Sequence, residues 1–432
     1  MNAGKTIALF PEASFGAALN CVGIAQELRR MGARPVFICH PGFSGVFAEY
    51  GFAEYQLAAA GAGQATDWTD FINRHRDAFR QNPRAQLESY VRPTWDAIVD
   101  TAMAVEQPLR QLLASLRPDA IVLDNVVMFP AIATAGVPWI RVISCAETEL
   151  PDPAVPPYLS GLGEAARDQW DDFAEAYAGV TAPAHRRLSA FLAECGVPAP
   201  PPGRFLDPSP WLNLLLAPEI IRRARTRPLD PERFVFLDGC MRQEAAWQSP
   251  GFASRNDAPL VLTSFGSLGA MDVGLMRRMI DVFAELPCRF LVNGGSWSDE
   301  YVAIPDNVLV APWFPQPSVV AQAQLFIHHG GNNSFCEALY FGVPSLVMPY
   351  CWDGHDNACR AVEAGVGRAL DRYRWTEEEF ASAITGLLAD APMRARLAVN
   401  ARAMQRHQGA RVAAERILSV VQAAESPQRA FG

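Results

Sequence analysis

The chain has 432 residues, too many for one ordinary hydrophobic core, so two domains are expected. Half of the residues are hydrophobic and 19% are charged, a globular balance rather than a disordered or membranous one. A net charge of −9 argues against nucleic acid or an anionic membrane as partner, and the longest apolar runs, such as "WLNLLLAPEII", fall short of the roughly 20 residues a bilayer span needs.

The first residues, "MNAGKTIALFPE", have no basic-then-apolar signal pattern and run directly into a strand. A cytoplasmic protein without membrane insertion is expected. Nine cysteines without a C-x-x-C pair suit a reducing compartment and suggest neither disulfides nor zinc. "KTIALF" reads as a strand, "ALNCVGIAQELRRMG" as a helix stopped at Gly32, and "RPVFIC" as the next strand. The stretch "DWTDFINRHRDAFRQNPRAQLESYVRPTW" mixes aromatic residues with Arg74, Arg76, Arg80, Arg84 and Arg92. It suits either the mouth of a site for an aromatic or acidic compound or, more commonly, a solvated helix face. "PDAIVLD", a helix-like "PAIATAG" and "PWIRVIS" continue the alternation, and Arg141 inside the last strand invites an acidic partner.

Proline-rich punctuation around helical segments from 151 to 203 reads as an elaboration of this first domain, residues 1–240. The polar stretch 241–258 reads as a linker. Alternation resumes with "PLVLTSF", a helix near 273–286, "RFLVNGG", "NVLVAPW", "LFIHH" and "SLVMP", giving a second domain over 259–408. The expected class is α/β, with two doubly wound Rossmann-like domains facing across a cleft.

In an open parallel sheet, ligands sit beyond the carboxyl ends of the strands. Five strands of the second half lead into Gly266-Ser267, Gly294-Gly295-Ser296, Trp313 to Gln316, His329 to Ser334, and Trp352 to Asn357. All five turns are small, polar or aromatic and belong on one rim. The turn "HGGNNS" before "FCEALYF" offers free amides without side-chain bulk at Gly330 and Gly331, a natural anion site. His329, Asn333 and Ser334 add donors, and a diphosphate fits there without a lysine. The chain has only Lys5. The structural alternative is a capping box from Ser334 to Glu337 that merely closes the helix start. Metal binding by His328 and His329 is disfavoured, because adjacent strand residues face opposite ways. No metal and no cofactor are expected. Trp313 with Gln316 suggests base stacking plus an amide for a base edge, and Asp353 and Asn357 stand where sugar hydroxyls would be held. Asp356 or Asn357 equally suits a helix N-cap.

From Trp313 to Ala358, "WFPQPSVVAQAQLFIHHGGNNSFCEALYFGVPSLVMPYCWDGHDNA" resembles the donor signature of the UDP-glycosyltransferases of the GT-B superfamily, the family of plant and bacterial natural-product glycosyltransferases. "SFGS" at 264–267 and "ALF…GIAQEL" near the start extend the likeness more weakly. The resemblance implies a GT-B fold, a last helix within 409–432 returning to the first domain, and inverting, metal-independent transfer of a hexose from a UDP-sugar co-substrate to a small-molecule acceptor. It implies that Trp313 stacks on uracil and Gln316 contacts the base or ribose. Ser267, His329, Asn333 and Ser334, with Gly331, would hold the diphosphate, Glu337 the ribose hydroxyls and Asp353 the transferred sugar.

Two departures stand out. Gly354 and His355 follow Asp353 where the family usually has a glutamine. More seriously, the family's catalytic histidine aligns with Ala17, or Ala18 if shifted by one, while its supporting aspartate is kept as Asp124. Without the histidine, Asp124 is the expected base, with Glu12, His40 and Glu147 as alternatives on the acceptor side and an already anionic acceptor as a third route. The lost histidine also motivates a non-catalytic sugar-nucleotide-binding protein, and the shared fold a UDP-sugar epimerase. "GAGQAT" at 61–66 is a weak glycine match to a dinucleotide fold.

Overall fold

A computed structural model of the chain describes residues 4–40, 43–57, 68–249, 251–252 and 257–425. The "GAGQAT" stretch lies outside the described residues.

Seven strands build the first sheet: β1 (Thr6–Pro11), β2 (Arg34–Cys39), β3 (Ala53–Gln56), β4 (Ala120–Asp124), β5 (Trp139–Ile143), β6 (Leu212–Leu216) and β7 (Phe234–Leu237). Their order is β3-β2-β1-β4-β5-β6-β7, and every pairing is parallel. Central strands such as "AIVLD" are buried along their whole length, as continuous apolar runs in a sheet covered on both faces must be. The helix Phe15–Arg30 covers one face. It starts at Ser14, whose hydroxyl accepts from the Ala17 amide, and it ends with Arg29 and Arg30, favourable charges for a helix C-terminus. The helices Arg92–Leu116 and Trp170–Glu194 cover the other face, with Leu188 and Leu192 packed among Trp95, Val99 and Leu109.

The second sheet runs β10-β9-β8-β11-β12-β13, again all parallel. Its strands are β8 (Leu260–Ser264), β9 (Arg289–Asn293), β10 (Val308–Ala311), β11 (Leu325–His328), β12 (Ser345–Val347) and β13 (Gly367–Ala369). The order reverses between β8 and β11, so the turns after these two strands diverge and leave a crevice. At Gln408, in the left-handed region, the chain turns from the helix Ala391–His407 into the helix Gly409–Glu425. That last helix packs Ala413, Ala414, Ile417 and Leu418 against Ile7, Leu9, Ala18 and Val22, inside the core of the first domain.

The second domain is pinned to the first at the helix Gly354–Glu363. Buried Asp356 accepts from Thr148 Oγ1 at 2.6 Å and from the Leu159 and Gly161 amides at 2.9 and 2.7 Å. Asn332 Nδ2 donates to the Leu216 carbonyl at the end of β6, at 2.9 Å. The cleft rims therefore face each other.

Candidate functional site

The turn after β11 is held open by its neighbours. Gly330 sits at φ +90°, and an added Cβ would come within 2.6 Å of the Gly354 carbonyl oxygen. Its own carbonyl accepts from Asn357 Nδ2 at 2.8 Å. The helix then starts at Asn332, with Gly331 as its cap. Ser334 is thus the third helical residue and not the cap, so the capping-box reading of Ser334 and Glu337 is corrected. The Asn332 amide donates to Asp353 Oδ2 at 3.1 Å. The Asn333 and Ser334 amides are among those a helix start leaves without intrahelical acceptors, at the dipole's positive end.

His329 lies partly buried over this turn. A Cβ on Gly331 would meet its Nε2 at 2.5 Å, and one on Gly266 would meet its Cε1 at 3.3 Å, so the two glycines make room for the ring. Its Nδ1 has no partner. Burial and the charge of Arg372 lower its pKa to about 4, so at neutral pH it is an uncharged hydrogen-bonding group. His328 belongs to the core instead: it is fully buried and accepts from the Gly330 amide. Ser267 falls in the short helix Gly266–Gly269, but its side chain lies outside the described residues. Among the described residues no group of three or more His, Cys, Asp or Glu is placed to hold a metal ion.

Trp313, just past β10, is 60% exposed, an unusual state for so large an apolar ring. Gln316 opens the next helix and donates to Ser334 Oγ at 3.1 Å and to Glu337 Oε2 at 2.6 Å. Glu337 itself is fully buried. Its Oε1 accepts from Arg242 Nη1 at 2.7 Å and from Asn333 Nδ2 at 3.2 Å. Arg242 is buried too, pairs with Glu244, and comes from the stretch read as a plain linker. Both oxygens of Glu337 are engaged by protein donors.

Asp353 caps the helix after β12 and accepts from the Asn332 amide and from Asn357 Nδ2. Burial first, then the charges of Asp356 and Glu12, raise its pKa to about 7. An unfolded aspartate ionises near 3.9, so between about 4 and 7 the unfolded chain gives up a proton that the folded one keeps. This group therefore costs stability progressively as pH rises through that window. Asp353→Asn should have little effect on melting temperature near pH 4 and should raise it relative to wild type at pH 8. A constant difference from pH 4 to 8 would place Asp353 in an ordinary solvated state.

Across the cleft, the β1 turn carries Glu12 and Ser14, with Ser14 Oγ donating to Glu12 Oε1 at 2.7 Å. Glu12 is partly exposed, and burial and the charge of Glu149 raise its pKa. Asp124 ends β4 behind it and is only 3% exposed. Ser144 Oγ donates to its Oδ1 at 2.7 Å, and Cys21 Sγ approaches its Oδ2 at 3.7 Å. Burial holds its pKa well above the usual carboxylate range. Each oxygen of Asp124 thus has a protein partner, which leaves little room for the expected direct contact with an acceptor. Ala17, where the histidine would be, is buried, and Cys21 of the same helix is the residue that reaches Asp124.

Glu147, the other acidic alternative, is engaged within the protein. Its carboxylate pairs with Arg225 Nε at 3.1 Å and accepts from the Arg223 amide, with 6% of the side chain exposed. His40 is buried, stacks on Phe10 at 4.6 Å and has a pKa lowered to about 4 by burial. Arg141 pairs with Glu149, the acidic partner its place in a strand called for.

Residues 277–417 match the family model "Erythromycin biosynthesis protein CIII-like, C-terminal domain". The chain is 28% identical to an oleandomycin glycosyltransferase of Streptomyces antibioticus, over 57% of this chain and 57% of that protein's own length. It is 24% identical to a demethyllactenocin mycarosyltransferase of Streptomyces fradiae, over 90% of this chain and 80% of the relative. A solved structure of the glycotransferase of kitacinnamycin superposes with a TM-score of 0.72 at 23% identity, covering 97% of this chain and 99% of the other. The chain has the GT-B fold, and over residues 277–417 it resembles the bacterial natural-product glycosyltransferases. In this GT-B chain the matched region holds the whole turn after β11, Trp313 and Asp353, whereas Arg242 precedes it. Arg242 and Arg372 are the site-lining residues the sequence did not reveal. An arginine in a polar linker, or after a three-residue strand, carries no pattern that marks it as buried.

Proposed function

We propose that the protein transfers a hexose from a UDP-sugar to a small-molecule acceptor, with inversion and without a metal. The observation that carries this reading is the glycine turn under His329 at the start of the helix Asn332–Phe341, on one rim with the exposed Trp313. A diphosphate held at that helix start would take hydrogen bonds from the Asn333 and Ser334 amides and from His329, and the developing charge on the leaving UDP would be stabilised there. Trp313 would cover the base. Asp353 would hold a hydroxyl of the sugar.

The acceptor's proton needs a base at the opposite rim. Glu12 fits that role better than Asp124: it is partly exposed, stands in the first turn after β1, and shares a field with Asp353 across the cleft. Asp124 would act from below, holding Ser144 and Cys21 in place.

A thymidine diphosphate donor is the second reading. It is favoured by the Glu337 carboxylate, whose oxygens Arg242, Gln316 and Asn333 already occupy. If Glu337 exchanges a partner for ribose hydroxyls, UDP should bind better than dTDP, because a deoxyribose leaves a buried carboxylate short of a donor. Equal affinities by calorimetry would leave Glu337 a purely structural residue. Transfer itself is tested by mass spectrometry with a panel of UDP- and dTDP-sugars and phenolic or alcoholic acceptors. A product one sugar heavier, with matching release of the diphosphate, is expected. Donor conversion without acceptor would indicate an epimerase. Nucleotide binding without turnover across the panel would indicate a binding protein.

A further inference from the structure

A cavity of about 300 Å³ opens between the domains on the far side of Tyr350 from the diphosphate turn. The ring of Tyr350 stacks on His329 at 5.3 Å. Three arginines reach the cavity: Arg76 and Arg80 from the first domain and Arg372 from the second. The other arginines of the same first-domain stretch are spent elsewhere, since Arg74 pairs with Asp70, Arg84 with Asp172 and Arg92 with Glu88.

Arg372 is the unusual member. It is 2% exposed, and no carboxylate lies within ion-pair range of it among the described residues. Its Nη2 donates to the Gly269 carbonyl at 2.9 Å, but Nε and Nη1 have no partner. The guanidinium lies over Phe265 at 4.1 Å and near Tyr350 at 5.0 Å. Ring faces offset part of the cost of burying a cation, but they leave its hydrogen bonds unmade. Arg80 lies over Tyr373 at 4.2 Å, so that ring bridges the arginines of the two domains. Two acids, Asp77 and Asp272, also line the space. Asp272 is occupied, with Arg80 at 3.6 Å and with the Leu275 amide at the start of its helix. Three cations against two anions suit a singly charged guest rather than a polyanion, and a guanidinium matches the two oxygens of a carboxylate.

We propose that this cavity is a subsite for the carboxylate of a bound substrate, carried either by the sugar of the donor or by the acceptor. The donor half of the proposal rests on the nucleotide-sugar reading of the neighbouring turn. The wall is complete only when both domains contribute, so the subsite would also favour the closed arrangement of the cleft.

The test is calorimetry on the full-length protein with two matched pairs of probes. UDP-glucuronate against UDP-glucose reports a carboxylate on the donor. 4-Hydroxybenzoate against phenol, each titrated with and without UDP, reports one on the acceptor. The variants are Arg372→Gln and, because a buried change can perturb folding, the double variant Arg76→Gln with Arg80→Gln at exposed positions. One pair should favour its acid at least tenfold, and that preference should fall below threefold in both variants, with UDP affinity unchanged in the Arg76→Gln, Arg80→Gln double variant. The pair that responds assigns the source. Indifference in both pairs, or a preference that survives both variants, overturns the subsite. Failure of UDP to bind the wild type would instead remove the nucleotide reading, and the 4-hydroxybenzoate pair would still decide the subsite.

Discussion

Glu12→Gln should lower turnover by roughly 100-fold or more, the usual contribution of a positioned general base, while leaving UDP affinity unchanged. The substitution keeps the shape and a hydrogen-bond acceptor for Ser14 and removes only the basicity. Burial and Glu149 raise the pKa of Glu12, so the wild-type rate should rise with pH as this carboxyl gives up its proton. The glutamine variant should lose that limb of the profile. Asp124→Asn is the control. Both oxygens of Asp124 are covered by Ser144 and Cys21, so the change should act on rate without touching the pH limb. If Asp124→Asn abolishes the limb and Glu12→Gln does not, the base is Asp124 and the cleft must open further than it does here. Ala17→His adds a third reading: a gain toward simple phenols would show that the acceptor pocket still suits the family's base.

Arg242→Ala should destabilise the protein by about 3–5 kcal/mol, measured by urea unfolding, because it strands the fully buried Glu337 without its cation. Glu337 would keep only Gln316 and Asn333, which are neutral donors. Arg242→Met combined with Glu337→Gln and Glu244→Gln should recover much of the loss, since the three buried charges then leave together. A loss below about 1 kcal/mol for the single change would mean that water reaches Glu337 and that the pair is solvated in solution. The pair also couples linker to helix. Arg242 follows the last strand of the first sheet and pairs with Glu337 in the helix after the glycine turn, so its removal should loosen the relation of the two rims.

The strands around the cleft were legible because they are fully buried: "KTIALF", "AIVLD", "PLVLTSF" and "LFIHH" are continuous apolar runs with turn residues behind them. The linkage of these turns to one rim also followed from the parallel sheet alone. The short edge strands β3 and β13 were not legible. "AEYQ" is partly exposed, and "GRA" is three residues long, so neither shows a pattern. The helix Arg92–Leu116 was hidden for a different reason: its start was read as a possible site mouth, and Pro108 interrupts its interior. At the site, residue types pointed to the ligand but not to occupancy. Nothing in "NNSFCE" shows that Glu337 is claimed by an arginine 95 positions earlier. Nor does "AIVLD" show that Ser144 and Cys21 engage its aspartate. Such facts depend on how two domains and a linker meet, which local sequence does not encode.

Calorimetric titration of UDP into the wild-type protein and into Trp313→Ala tests the central claim, that this rim holds a nucleoside diphosphate. Wild-type protein should bind, and the folded variant should bind more weakly by roughly 1–3 kcal/mol, the range for stacking of a base on an aromatic ring. A wild-type protein that takes up no UDP at millimolar concentration, or a folded Trp313→Ala variant with an unchanged dissociation constant, would contradict it.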